Sequence, residues 1–112
     1  MAKFFFTQNY ENCLVRIEDY ILFAAKSLDS VQSFLELHDK ALAFIGKNPK
    51  TPPFHSMTGD QSWNFGDGRY RIFFRYVEGQ KELIIYLIHL IDNKEINLDI
   101  YPNNKIPTYD EE

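Results

Sequence analysis

One cysteine, Cys13, stands in 112 residues, so no disulfide can form within the chain. Such sparing use fits a reducing compartment. Long apolar runs are missing too. The longest, LIIYLIHLI from Leu83 to Ile91, is far below the ~20 residues a helix needs to cross a bilayer. The opening MAKFFFTQNYEN is too short an apolar stretch for a secretory signal. Three scattered histidines and the lone cysteine offer no metal-ligand spacing, so neither a metal nor a cofactor is expected. The only glycine-rich turn, Gly66-Asp67-Gly68, is too short for a phosphate loop and precedes a strand pattern, not a helix. Basic charge is also scarce: the net charge of −4 counts against simple non-specific nucleic-acid binding. A soluble cytoplasmic protein without a membrane partner is the expectation.

What remains is an ordinary amount of apolar residue, 45%, with aromatics at 16%, enough for one core at this length. KFFFT, starting at Lys3, reads as a first strand. The period then changes. Tyr10, Leu14, Ile17, Ile21, Ala25 and Leu28 make a helical stripe. Asp29, with Gln32 three residues on, is placed to cap a second helix. Its stripe runs through Val31, Phe34, Leu35, Leu42 and Ile45 to a stop at Gly46 and Pro49. A proline-rich loop follows, then SWNF, a tight turn at GDG, and two longer strands joined by EGQ. The expected layout is α+β: an N-terminal strand and a helical hairpin packed on one face of an antiparallel sheet. Residues 1–102 form one domain in this reading, EINLDIYP makes a final strand or tail element, and 103–112 is a poorly ordered tail.

The strand DGRYRIFFRYV, Asp67 to Val77, sorts by alternation into two faces. Tyr70, Ile72, Phe74 and Tyr76 suit a core. Arg69, Arg71, Phe73, Arg75 and Val77 fall opposite. Between Lys47 and Lys81 there are six basic and three acidic residues, against three basic and six acidic between Tyr10 and Gly46. The positive charge therefore concentrates on and before this strand. The next strand is apolar on both faces, a pattern that calls for cover on both sides.

Element order, the KNP after the second helix, and GDGRYRIFFRY followed by ELIIYLIHLI together resemble the RelE/ParE superfamily of toxins from bacterial type II toxin–antitoxin systems, over roughly Phe4 to Lys94. Gly68, Tyr70, Arg71, Ile72, Phe74 and Arg75 fit the family's strand pattern, and Ile88-His89-Leu90 its apolar-His stretch. The resemblance implies a toxin neutralised by a cognate antitoxin. It also implies one of two targets: messenger RNA cut on the ribosome without a metal, or DNA gyrase, bound without catalysis. Loss of toxicity on the same scaffold, leaving an interaction protein, is a third outcome.

Metal-free RNA cleavage needs the 2′-OH deprotonated, the pentavalent phosphate stabilised and the 5′-oxygen protonated. Arginine suits the middle task, being always charged and able to grip phosphate with two donors. Arg71 matches the family arginine of the active groove. Arg69, Arg75, Lys47, Lys50 and Lys81 are the accompanying candidates for nucleic-acid contact; a solubilising outer face is the plain alternative. His89 and Lys94 are the proton-transfer candidates, with a hydrogen-bonded, partly buried ring as the other reading of His89. His38 sits in the second helix stripe and reads as packing; for His55, in the proline-rich loop, both readings stand. Where RNA-cutting members often carry a basic pair, this chain has Asp92, Asn93 and only then Lys94.

Overall fold

The switch from alternation to a helical stripe falls at Thr7. In the computed structural model, which describes residues 2–93, strand β1 is Ala2–Phe6 and helix α1 is Gln8–Ala25. Thr7 joins them as N-cap: its Oγ1 accepts the Tyr10 N–H at 3.2 Å and donates to the Leu87 carbonyl at 2.7 Å. One hydroxyl thus starts the helix and ties that start to the sheet. Lys26, in the left-handed region at φ 52°, ends α1 by donating its N–H to Leu22 O. The extended residue after it, Ser27, caps helix α2, Leu28–Lys47, through an Asp29 N–H to Ser27 Oγ bond of 3.1 Å. The expected cap was Asp29. The reversal at Lys26 starts α2 two residues earlier and leaves Asp29 in its first turn, where a carboxylate favours the positive helix end.

Helix α2 also runs through Gly46 to Lys47, with Asn48 as C-cap. A Cβ on Gly46 would lie 3.3 Å from the Phe4 ring, so this glycine lets α2 sit close on β1. The stop comes one residue later, where Asn48 donates both its N–H and its Nδ2 to Phe44 O.

Strands β2 (Gln61–Phe65), β3 (Tyr70–Glu78) and β4 (Leu83–Asp92) form the expected antiparallel meander. The sheet order is β1-β4-β3-β2, and β1 lies parallel to β4, so the sheet is mixed rather than wholly antiparallel. Two helices separate β1 from β2, and such a long crossover lets a strand return parallel. Tyr70, Ile72 and Phe74 join Ile85, Leu87, Leu90 and the buried faces of both helices in one core. Fully burying each such side chain stabilises by about 1.5–3 kcal/mol.

Strand β4 carries a bulge. Phe73 pairs with His89 and Phe74 with Leu87, leaving Ile88 as the extra residue. The bulge resets the alternation, which is why Leu87 and Leu90, three apart, both reach the helix-side core. The opposite face of β4 is buried as well: Ile84, Tyr86, Ile88 and Ile91 are all under a tenth exposed. The Asn48–Asp60 loop is stitched to the sheet by Gln61. Its Nε2 donates to Pro49 O at 2.7 Å and Pro52 O at 3.0 Å. Phe54 pairs with Gln61, and the Ser62 N–H donates to Pro53 O at 3.0 Å, so this arm lies along the outer edge of β2. The EINLDIYP segment and the tail after Pro102 lie outside the described residues.

Candidate functional site

Three outward residues of β3 do different things. Arg71 faces Asn64 across the β2–β3 ladder and donates its Nε–H to Asn64 Oδ1 at 2.9 Å. It has no acidic partner among the described residues, so its charge and its two Nη groups stay available. Phe73, two residues on, is fully buried although it points away from the helices. The His55 ring covers it, edge to face at 5.2 Å. Arg75 donates its Nε–H to the carboxylate of Asp60, which is 1% exposed.

His55 is half-buried, and its Nδ1 accepts the Met57 N–H at 3.3 Å. With Nδ1 accepting, Nε2 is the ring nitrogen left to donate. Between the loop and the sheet lies a groove of about 470 Å³, lined by Pro53, Phe54, His55, Ser56, Ser62, Trp63, Asn64 and Arg71. It holds one uncompensated cation, one imidazole, two hydroxyls and the rim of Phe54, which is 73% exposed. Among the described residues no carboxylate lines it. Such a set can grip an anion and move one proton; among the described residues the lining offers no second acid–base group.

No protein-family model and no curated protein matches the chain.

The other candidates lie elsewhere. Arg69 was expected beside Arg71 and Arg75 on the outward row. It instead precedes β3, in the turn after Gly66, Asp67 and Gly68, all at positive φ. The turn aims it at Asp92, 3.0 Å from Nη2, and next to Tyr70 on the helix side. There it borders a second cleft of about 430 Å³ with Tyr20, Phe34 and Leu37. The Asp92 bond holds its guanidinium more firmly protonated than usual. The row of three free guanidiniums therefore reduces to one, because Asp60 and Asp92 compensate the other two.

His89 is buried at α1 and 1% exposed. Its Nδ1 lies 2.7 Å from Asn9 Nδ2 and 3.4 Å from Cys13 Sγ. Burial, and next the charge of Arg16, push its pKa down to about 4, so the ring is neutral near pH 7. Burial also raises the Cys13 thiol, which is therefore not a ready thiolate. His38 packs in the core as expected, bonded through Nε2 to Tyr10 OH at 2.7 Å and lowered in pKa by burial. Lys50 forms a loose surface pair with Glu78 at 4.0 Å, of the kind that contributes little. Lys81, in the β3–β4 turn, and Glu78 lie at the far end of β3, some ~20 Å along the strand from Arg71. Lys47 is exposed at the end of α2. The lysines and Arg71 thus do not make one patch. Lys94 lies outside the described residues. Among the described residues no acid–His–Cys cluster could hold a metal, and no helix is long and apolar enough to cross a membrane.

Sequence reasoning left His55 open. The signal for it was Phe73: an apolar residue between two arginines on an outward face must be covered, and the proline-rich loop beside it was the available cover.

Proposed function

We propose that this chain is the toxin of a type II toxin–antitoxin pair of the RelE/ParE kind, acting as a metal-free, ribosome-associated endoribonuclease on messenger RNA. The observation that carries the reading is the Arg71 guanidinium, without an acidic partner, in a groove shared with His55. In this reading the two Nη groups of Arg71 hold the scissile phosphate and stabilise the added negative charge of its pentavalent state. Ser62 and Asn64 help orient the backbone. His55 acts in its imidazolium form, which gives up the Met57 contact at Nδ1: Nε2 protonates the 5′-oxygen as the P–O5′ bond breaks and the 2′-oxygen closes on phosphorus, and the ring returns to its neutral form. Activation of the 2′-OH falls to a group supplied with the ribosome. The cognate antitoxin neutralises the toxin.

The second reading, a ParE-like gyrase inhibitor without catalysis, draws on a different feature. Phe23 and Leu28, at the tip of the helical hairpin, are 79% and 74% exposed, the kind of apolar surface that binds protein. A non-toxic interaction protein would use the same surface.

Induction in a bacterial host without any antitoxin separates the readings. The nuclease reading expects growth arrest with codon-linked transcript cuts. Arg71→Gln should reduce those cuts by about 100-fold, the scale seen when one charge-stabilising donor is lost. Inhibited supercoiling with intact transcripts would replace it with the gyrase reading, and undisturbed growth would leave the interaction protein.

A further inference from the structure

We infer that Arg75 and Asp60 form a clasp that sets His55 over the groove, so that both are positioning residues for the site. The inference rests on the groove being the working site, and it changes the part assigned to Arg75 from phosphate contact to support.

Asp60 is a carboxylate held almost wholly out of water, a costly placement that a charged donor offsets. Arg75 supplies that donor through Nε. The backbone of Asp60 is in turn the anchor of His55. The His55 N–H donates to Asp60 O at 2.7 Å, and the Gly59 N–H closes the loop onto His55 O at 2.8 Å. The Asp60 N–H is itself bound to Thr58 Oγ1 at 3.2 Å. Where Asp60 goes, His55 follows.

The geometry of β3 makes the arrangement specific. Arg71, Phe73 and Arg75 are alternate residues on one face. The strand therefore carries, in sequence, the anion-holding group, the seat under the imidazole, and the grip on its loop. Arg71 and Arg75 are about 13 Å apart along the strand. With Arg75 turned to Asp60, the two do not share one phosphate, while the loop between them brings His55 back towards Arg71. Arg75 is half exposed, so a direct contact with a neighbouring phosphate is the competing role, and it makes different demands.

The test uses the full chain labelled with nitrogen-15, carrying Arg75→Gln, Arg75→Lys or Asp60→Asn. His55 is followed by its ring resonances and by exchange of its amide proton. Cleavage of a messenger RNA held on programmed ribosomes by the same proteins is measured at several salt concentrations. The clasp expects Arg75→Gln to shift the His55 ring signals and to speed its amide exchange about tenfold or more. It expects kcat to fall about 10- to 100-fold while KM stays within about twofold. Arg75→Lys, which keeps a cation facing Asp60, should restore much of both. If Arg75→Gln does not fold, Asp60→Asn, closely isosteric and without the charge, is read the same way.

Unmoved His55 signals would overturn the inference. So would a rise in KM with a salt dependence shallower by about one charge, the mark of a lost phosphate contact. If the wild-type chain cuts no message on the ribosome, the nuclease reading falls by itself, and the His55 signals alone decide whether the clasp exists.

Discussion

Acid should loosen this fold chiefly through one ring. The pKa of His89 is pushed down to about 4 by burial and by Arg16, against about 6.5 in an unfolded chain. The folded state holds the neutral ring, so between these values the unfolded chain binds the extra proton and stability falls as pH falls. The loss begins near pH 6.5 and is complete below pH 4. By pH 5 the linkage amounts to about 2 kcal/mol, and over the whole window to about 3 kcal/mol. That is a large part of the 5–15 kcal/mol typical of a small domain. His38, also lowered by burial, pulls the same way. The assay is urea unfolding at pH 8 and pH 5, followed by the fluorescence of Trp63, the single tryptophan, which stacks on Phe44 at 4.5 Å. His89→Gln cannot titrate. Comparing its pH response with that of the wild type removes the contributions of all other groups. The variant should be less stable at pH 8 but should lose about 2 kcal/mol less on going to pH 5. Equal losses in the two proteins would refute the assignment of the pH dependence to this ring.

Other perturbations test the core and the turn. Tyr10→Phe removes the buried hydroxyl bonded to His38 Nε2 at 2.7 Å. It should cost about 1–3 kcal/mol, since a core nitrogen loses its partner; a urea midpoint unchanged from wild type would contradict this. Gly66→Ala introduces a Cβ 3.0 Å from the Tyr70 ring at φ 66°, whereas Gly59→Ala at φ 78° meets nothing within 4 Å. Both bear the left-handed penalty of about 1–2 kcal/mol, but Gly66→Ala should show the larger drop in Tm. Equal drops would mean that the Tyr70 contact is absorbed without cost.

The α+β layout was readable because its signals are local. The helix stripes from Tyr10 and Val31, the GDG turn, and the alternation from Tyr70 to Tyr76 each depend on neighbours in sequence. The candidate site was readable only in part. Arg71 stood out, but the fates of Arg69 and Arg75 turned on Asp92 and Asp60, residues 23 and 15 positions away. No local pattern encodes such pairings; they follow from register and from the path of a loop. The bulge at Ile88 is of the same kind. Both faces of β4 are apolar, so alternation carries no information about where the phase slips. His55 depended on Gln61 stitching the proline-rich loop to the sheet, a contact between side chain and backbone that composition does not announce.

The arm along the rim of β2 guards the chain against sticking to its own kind. β2 ends the sheet and is only five residues long. An unoccupied rim of that sort is a template onto which another polypeptide can add, the route to fibrils. Pro53 and Phe54 already occupy its first positions, and a proline brings no N–H with which to recruit the next molecule. A substitution that freed this arm would uncover the template and the aromatic residues beside it together, so loss of the groove and a tendency to polymerise should arrive as one phenotype.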